Sequence, residues 1–240
     1  MPTPVRRYLA GGDAIAAALE RGEPVRVLLV RRDDSAPETL ALRAAAEARG
    51  ATLWLGSAGD MRRMSRSREP EQALAMLGPE PRADLAELFS RPGAVWLLHG
   101  VAYPSNVGFA IRTAEVSGAQ GVIAGTQFHH EERGRISHVS MGADRLLPVL
   151  YEASAVVLAL ARERRYRIVA LEDVGARAAS EVDLRGDVLF VVGGERDGLG
   201  PELLAACDQV VRIPMAGFVP SYNLQGALSA LAAERLRQLG

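Results

Sequence analysis

Residues 188–234 constrain the fold of this chain more than any other segment. They open with an apolar run, residues 188–192, of the length of a buried strand, and a glycine pair follows that lets a ligand approach the backbone closely. Pro201 stands where a helix would begin, because the first helical position needs no backbone N–H. A second apolar run at residues 210–213 and an Ala/Leu-rich stretch follow. The segment therefore predicts strand, glycine loop, helix, strand, polar loop and helix.

The rest of the chain repeats this alternation. Apolar runs predict strands at residues 25–30, 52–55, 94–98, 121–124 and 168–171. Capping residues, glycine and proline delimit predicted helices at residues 14–21, 37–50, 107–117 and 156–164. Asn106 is the expected N-cap of the third helix. Strands separated by helices predict an α/β protein with a mostly parallel sheet that is covered on both faces.

Proline and glycine residues between positions 78 and 93 predict a division into two domains. We expect a smaller N-terminal α/β domain over residues 1–88 and a larger domain over residues 89–240. The end of the smaller domain is ambiguous, because Pro70 interrupts it and residues 72–77 fit a helix and a strand equally.

The charge of the chain is nearly balanced, with a formal net charge of −1 and a pI near 6.5. This balance argues against a protein that coats nucleic acid through bulk charge. All basic residues other than histidine are arginines, and the densest cluster lies in MRRMSRSR. A solvated loop and an RNA contact explain the cluster equally well. Its members are Arg62, Arg63, Arg66 and Arg68.

Several classes of protein are disfavoured by what the sequence lacks. No apolar run approaches the ~18 residues of a membrane span, and the N-terminus lacks a signal-peptide core, so we expect a cytoplasmic protein without membrane contact. Neither a dinucleotide-binding glycine fingerprint nor a P-loop is present. His129 and His130 would point to opposite faces of a strand, so we expect no metal site. Cys207 is expected to be a buried apolar residue in a helix.

Ordered motifs mark the second half of the chain. They are NVGFAIRTAEVSGAQG at residues 106–121, HVSMGA at residues 138–143, Gly-x-Glu-x-x-Gly from Gly193, Ile-Pro-Met from Ile213 and Ser-x-Asn from Ser221. Together they resemble the motifs of the SpoU/TrmH family of RNA 2′-O-ribose methyltransferases. The resemblance covers the chain from about residue 95 to the C-terminus. Any one motif alone would be a weak signal.

The resemblance implies an enzyme that transfers a methyl group from S-adenosylmethionine (SAM) to a ribose 2′-hydroxyl of RNA. It also implies a deep trefoil knot and a homodimer, with the C-terminal helix and the helix after Asn106 at the interface. The smaller domain would bind RNA, which favours ribosomal RNA over transfer RNA. Residues 68–73 read Arg-Glu-Pro-Glu-Gln-Ala where the family has a His-Gln-Gly turn, so the usual His and Gly are missing.

The resemblance assigns two sets of site residues. The catalytic set is Asn106, Arg112, Glu195, Ser221 and Asn223. The cofactor-binding set is Leu171, Val192, Gly193, Gly194, Ile213, Met215, Tyr222 and Leu224. These residues follow predicted strands, where backbone groups would bind the adenine edge and apolar side chains would enclose the ring.

Arg112 is implied to act on the 2′-hydroxyl, although a guanidinium is almost never neutral. Either a nearby phosphate couples to its proton loss, or it stays charged and stabilises the developing alkoxide, which is the energetically preferable mechanism. Glu195 would hold Arg112 or Asn106 in position. Because Arg112 and Asn106 are about 600° apart on a regular helix, they do not share one face. We expect the helix cap to aim Asn106.

Three residues depart from the family pattern. Tyr222 replaces a leucine, Gln225 replaces a second serine, and Gly194 stands where asparagine or serine is common. These departures keep a second hypothesis open, in which the chain is a non-catalytic paralogue that binds RNA or SAM, for example in ribosome assembly. The intact Asn106 and Arg112 favour the enzyme.

Overall fold

The computed structural model describes residues 5–240. It divides the chain into two compact units between Pro81 and Arg82. The sequence places the boundary after residue 88, but the short helix α4 (Leu85–Leu88) belongs to the larger unit. Leu88 is fully buried in a core cluster of that unit.

The smaller unit alternates strands and helices. Its elements are β1 (Arg7–Ala10), α1 (Gly12–Glu20), β2 (Val25–Arg31), α2 (Pro37–Ala48), β3 (Thr52–Gly56), α3 (Ala58–Met64) and β4 (Ala73–Leu77). They form a sheet of order β1-β4-β2-β3, in which β2 and β3 are parallel and β4 is antiparallel to both of its neighbours. The ambiguous segment is thus resolved as a strand, β4, with every residue buried. Ser57 and Asp60 cap α3 reciprocally, which fixes its start.

The larger unit contains the predicted parallel sheet. After α4 come β5 (Ala94–His99), α5 (Pro104–Val116), β6 (Gly121–Ala124), α6 (His130–Val139), β7 (Val149–Tyr151), α7 (Ser154–Glu163), β8 (Arg167–Leu171), β9 (Arg177–Ala178), β10 (Val188–Gly193), α8 (Pro201–Ala205), β11 (Gln209–Arg212) and α9 (Leu224–Leu239). The strand order is β7-β6-β5-β10-β8-β11-β9, and each pairing is parallel. The α/β class with a parallel sheet is therefore confirmed.

Strand β10 shows why both faces of this sheet are covered. Its residues are all buried, and alternate side chains enter two different cores. Phe190 packs in the core to which α5 and α9 contribute, whereas Leu189 and Val191 pack in the core that includes Val157 of α7. Since successive strand residues point to opposite faces, a continuous apolar run is what a doubly covered strand requires.

Three local expectations were wrong. Helix α5 begins at Pro104 rather than after Asn106, because proline is preorganised for the first helical turn, so Asn106 is not the N-cap. His129 precedes α6 and His130 begins it, so the two histidines do not lie in a strand. Helix α8 ends at Ala205, which leaves Cys207 partly buried in the turn beyond it. Burial, together with the charge of Asp208, raises the pKa of the Cys207 thiol to about 11.

The last helix is tied to the long connection between β8 and β10. Arg235 of α9 is buried, and its guanidinium donates hydrogen bonds to the carbonyl oxygens of Leu184 and Gly186. Gln238 accepts a hydrogen bond from the Leu184 N–H at 2.7 Å.

No helix among residues 5–240 has both the length and the apolar character needed to cross a bilayer.

Candidate active site

A pocket of about 350 Å³ lies where the chain leaves β8, β10 and β11 in the larger unit. Ligands of open parallel sheets characteristically bind beyond the carboxyl ends of the strands. The pocket is lined by all eight residues of the predicted cofactor set, Leu171, Val192, Gly193, Gly194, Ile213, Met215, Tyr222 and Leu224. It is also lined by three of the predicted catalytic residues, Glu195, Ser221 and Asn223. Asn106 and Arg112 do not line it.

Four further lining residues were missed by the sequence reasoning: Glu172, Asp173, Gly198 and Ala227. Glu172 braces the glycine loop, since its Oε1 accepts a hydrogen bond from the Leu199 N–H at 2.8 Å. A signal for it existed in the sequence, because Glu172 directly follows Leu171, which ends a predicted strand and was assigned to the site. With Asp173 and Glu195, it gives the pocket three carboxylates.

The glycine loop is folded so tightly that side chains are excluded at two positions. A Cβ on Gly193 would lie 2.5 Å from the carbonyl carbon of Gly198, and a Cβ on Gly194 would lie 2.1 Å from the carbonyl oxygen of Gly100. Gly198 itself has a φ of +57°, and its N–H donates to the Gly194 carbonyl at 3.1 Å. Glycine is needed here because backbone meets backbone.

Glu195 joins the glycine loop to the first turn of α5. The Asn106 side-chain amide donates a hydrogen bond to Glu195 Oε1, and the Ala102 N–H donates to Oε2 at 3.3 Å. Asn106 is therefore held by a carboxylate that lines the pocket, and its orientation comes from this contact. Helix capping has no part in it.

Arg112 is not brought into this cluster. Its side chain is exposed and makes no hydrogen bond or ion pair with any residue in the described part of the chain. On a regular helix it lies about 120° around the axis from Asn106 and within about 20° of Ser105. The structure thus separates Arg112 from the other four predicted catalytic residues within one chain.

The loop before α9 contributes the outer wall of the pocket. Asn223 caps α9, since its side-chain oxygen accepts a hydrogen bond from the Gln225 N–H at 3.0 Å. The Tyr222 hydroxyl donates to the Pro214 carbonyl at 3.1 Å, which closes the loop on itself. Both side chains are exposed, as are those of Phe218 and Val219 in the same loop.

The arginine cluster belongs to the smaller unit, at the end of α3 and in the loop that follows. All four side chains are exposed. Arg63 is paired with Asp60 at 2.5 Å, and the guanidinium of Arg66 lies 4.6 Å from the centre of the Tyr8 ring. Arg62 and Arg68 have no ion pair or hydrogen bond from their side chains within residues 5–240. No cluster of three potential metal ligands occurs in that same range.

Known proteins resemble the chain over the region that contains this pocket. A sequence model of the SpoU rRNA Methylase family matches residues 94–233. The 23S rRNA (guanosine-2′-O-)-methyltransferase RlmB of Bordetella pertussis is 30% identical over 156 residues, which cover 65% of this chain and 64% of that protein. The chain thus spans just under two thirds of this relative's length. RlmB of Xanthomonas axonopodis pv. citri is 27% identical over 244 residues, which cover 97% of this chain and 96% of that protein.

A solved structure extends the similarity to the fold. The SpoU methyltransferase AviRb from Streptomyces viridochromogenes, in complex with AdoMet, superposes with a TM-score of 0.60 at 24% sequence identity. The superposition covers 98% of this chain and 90% of that one. The region matched by the family includes every residue that lines the pocket.

Proposed function

Because the chain belongs to the SpoU rRNA methylase family, we propose that it transfers a methyl group from SAM to a ribose 2′-hydroxyl of RNA, with ribosomal RNA as the favoured substrate. The proposal rests mainly on the pocket that the loops after β8, β10 and β11 form together. SAM supplies an activated methyl group on a sulfonium cation. The protein therefore has to position the methyl group against the 2′-hydroxyl, exclude water from both and stabilise the charge that develops.

The pocket residues fit such a ligand chemically. Leu171, Val192, Ile213 and Leu224 offer apolar surface for an adenine ring, and Gly193 and Gly194 also line the pocket. Three carboxylates, Glu172, Asp173 and Glu195, line the same pocket and favour a cationic ligand. Asn106, held by Glu195, is proposed to position the ribose.

Calorimetric titration with SAM tests the pocket assignment. We expect binding at one site per chain with micromolar affinity, and no binding of NAD, because the glycine loop lacks the dinucleotide fingerprint. Failure of the folded protein to bind SAM would contradict the enzyme hypothesis. Binding without any methyl transfer to RNA would instead support the non-catalytic paralogue, which Tyr222 and Gln225 motivate.

We further propose that the protein is a homodimer in which Arg112 serves the pocket of its partner. Arg112 is exposed, has no hydrogen bond or ion pair from its side chain among residues 5–240, and projects about 120° away from Asn106 around α5. Val116, one turn further along, is 72% exposed, which suits an apolar contact between subunits. A charged Arg112 delivered from the partner would stabilise the developing alkoxide.

Mixed dimers distinguish this arrangement from catalysis within one chain. Arg112→Ala and Glu195→Ala proteins should each be inactive, but random mixing of their subunits should restore about a quarter of wild-type activity, since half of the dimers then hold one intact site. The matched control is wild type mixed with the double variant. If Arg112 acts in trans, these heterodimers are inactive; if they keep half of the wild-type activity, the proposal is wrong.

The deep trefoil knot and a cytoplasmic location complete the proposal. Support for the knot comes from the connection between β8 and β10, which holds both the last strand and the last helix. A Cβ on Gly175 would lie 2.6 Å from the backbone of Val211 in β11, and Arg235 in α9 donates to two carbonyl groups of the same connection. In the cytoplasm the enzyme would have access to ribosomal RNA.

The smaller unit is proposed to bind RNA through its arginine cluster. Changing Arg62 and Arg68 together to alanine should raise the KM for RNA several-fold and leave kcat unchanged. Phosphate contacts stabilise the bound RNA equally in the ground state and in the transition state. The slope of log KM against the logarithm of the salt concentration should decrease by about 1.4. Arg49→Ala, an exposed arginine of the same unit outside the cluster, is the control. An unchanged salt slope would show that the cluster is only a solvated loop.

A further inference from the structure

A second groove, of about 530 Å³, lies beside the first turn of α5 and is formed with the outer face of α6. Tyr103 and Ser105 line it on one side, and Glu131, Gly134, Arg135 and His138 line it on the other. None of these residues lines the proposed SAM pocket.

The first turn of α5 separates this groove from the SAM pocket. Ser105 lines the groove, whereas the next residue, Asn106, is bonded to Glu195, which lines the pocket. Successive helical residues project about 100° apart, so the groove and the pocket lie on adjacent sides of the same helical turn. If the proposed function holds and the target ribose lies at Asn106, the base of the same nucleotide can reach the groove.

The polar side chains of the groove are uncommitted. Glu131, Arg135 and His138 follow the i, i+4, i+7 spacing of one helix face. Each is exposed, and none has a hydrogen bond or ion pair from its side chain within the described part of the chain. The Tyr103 ring is 46% exposed at the groove's edge and offers a surface on which a base can stack.

Gly134 gives the groove an open floor. It lies inside α6, where glycine is less stable than alanine. A Cβ at this position would meet no atom within 4 Å, so packing does not require the glycine. A flat ligand that lies against the helix would explain the glycine, because the ligand would occupy the space that a side chain at this position would fill.

We propose that this groove binds the base of the methylated nucleotide and selects guanine. The Watson–Crick edge of guanine presents two adjacent donors, N1–H and the N2 amino group, which one carboxylate can accept together. Adenine, cytosine and uracil each present a donor next to an acceptor, which a carboxylate repels. Glu131 is the carboxylate of the groove, Tyr103 is the stacking platform, and Arg135 is placed to donate to the guanine O6 or to a phosphate.

Titration of GMP and AMP into the whole 240-residue chain, saturated with S-adenosylhomocysteine, tests this assignment. We expect GMP to bind at least about tenfold more tightly than AMP, the effect of one well-made charged hydrogen-bond pair. Glu131→Gln should abolish the preference, and Gly134→Leu should abolish binding of both nucleotides. Gly134→Ala controls for helix stability, and affinity for S-adenosylhomocysteine should be unchanged in all three variants.

Equal binding of GMP and AMP, or a guanine preference that survives Glu131→Gln and Gly134→Leu, would overturn the proposal. The titrations are repeated without S-adenosylhomocysteine, so that selectivity of the groove is measured even if the pocket binds no cofactor. A protein that selects GMP but does not bind S-adenosylhomocysteine would support the groove and contradict the proposed methyl transfer.

Discussion

Replacing Arg112 with alanine is expected to lower kcat for RNA methylation by about 10³-fold, the effect of removing a principal stabiliser of the transition-state charge. SAM affinity should not change, because Arg112 does not line the pocket of its own chain and is proposed to act on the ribose 2′-hydroxyl rather than on SAM. The melting temperature should stay within the error of wild type, since the side chain is exposed and has no partner in the described part of the chain. Single-turnover transfer of tritiated methyl groups measures the rate directly.

Arg112→Lys is the matched variant for charge. A lysine keeps the positive charge but not the planar fork, so it should recover part of the lost rate if Arg112 acts as a cation. Wild-type kcat in Arg112→Ala would show that the residue has no catalytic part, and a loss of SAM binding would show that it acts on the pocket instead.

The second large effect is expected from Gly194→Ala. The new Cβ would lie 2.1 Å from the Gly100 carbonyl oxygen and 2.6 Å from its carbon, so the glycine loop or the segment after β5 must move. We expect the free energy of unfolding to fall by about 2 kcal/mol. Since Glu195 is the next residue, kcat/KM for methyl transfer should also fall by about 100-fold.

Gly200→Ala is the control within the same loop. Its Cβ would meet nothing within 4 Å, and its φ is −63°, which suits any residue. The change should cost less than about 1 kcal/mol and leave activity intact. If Gly194→Ala behaved like Gly200→Ala in urea denaturation and in methyl transfer, the close approach of the two backbone segments would not matter for function.

The sequence was most informative where the backbone itself forms the site. Residues 188–192 read as a doubly covered strand because all five are apolar, and β10 is buried throughout. The loops that follow β8, β10 and β11 could be located because each follows a predicted strand, and the resemblance to the SpoU/TrmH family assigned the cofactor residues to them. All eight predicted cofactor residues therefore line one pocket, although their role in binding SAM stays a prediction.

Helix starts and contacts between residues far apart in the sequence were harder to predict. The start of α5 was misplaced because Asn106 is a good N-cap in isolation, whereas Pro104 begins the helix two residues earlier. Glu172 was missed because its role depends on the Leu199 N–H, 27 residues away along the chain. Local propensity carries no record of such pairs, which exist only once the parallel sheet has brought β8 next to β10.

Arg112 shows the opposite case, in which helical geometry was sufficient. The angular separation on a regular helix predicts that Arg112 and Asn106 do not share a face, and the structure leaves Arg112 exposed while Asn106 contacts Glu195. Among residues 5–240, no side chain or backbone group pairs with the Arg112 guanidinium. That gap motivates the proposed dimer.

The proposed methylation can be measured as transfer from tritiated SAM to unmodified ribosomal RNA transcribed in vitro, followed by digestion to nucleosides and mass spectrometry. We predict a 2′-O-methylated nucleoside that forms with wild type and forms about 10³-fold more slowly with Arg112→Ala. Methylation on a base, or no transfer by a folded protein that binds SAM, would contradict the proposed 2′-O-methylation.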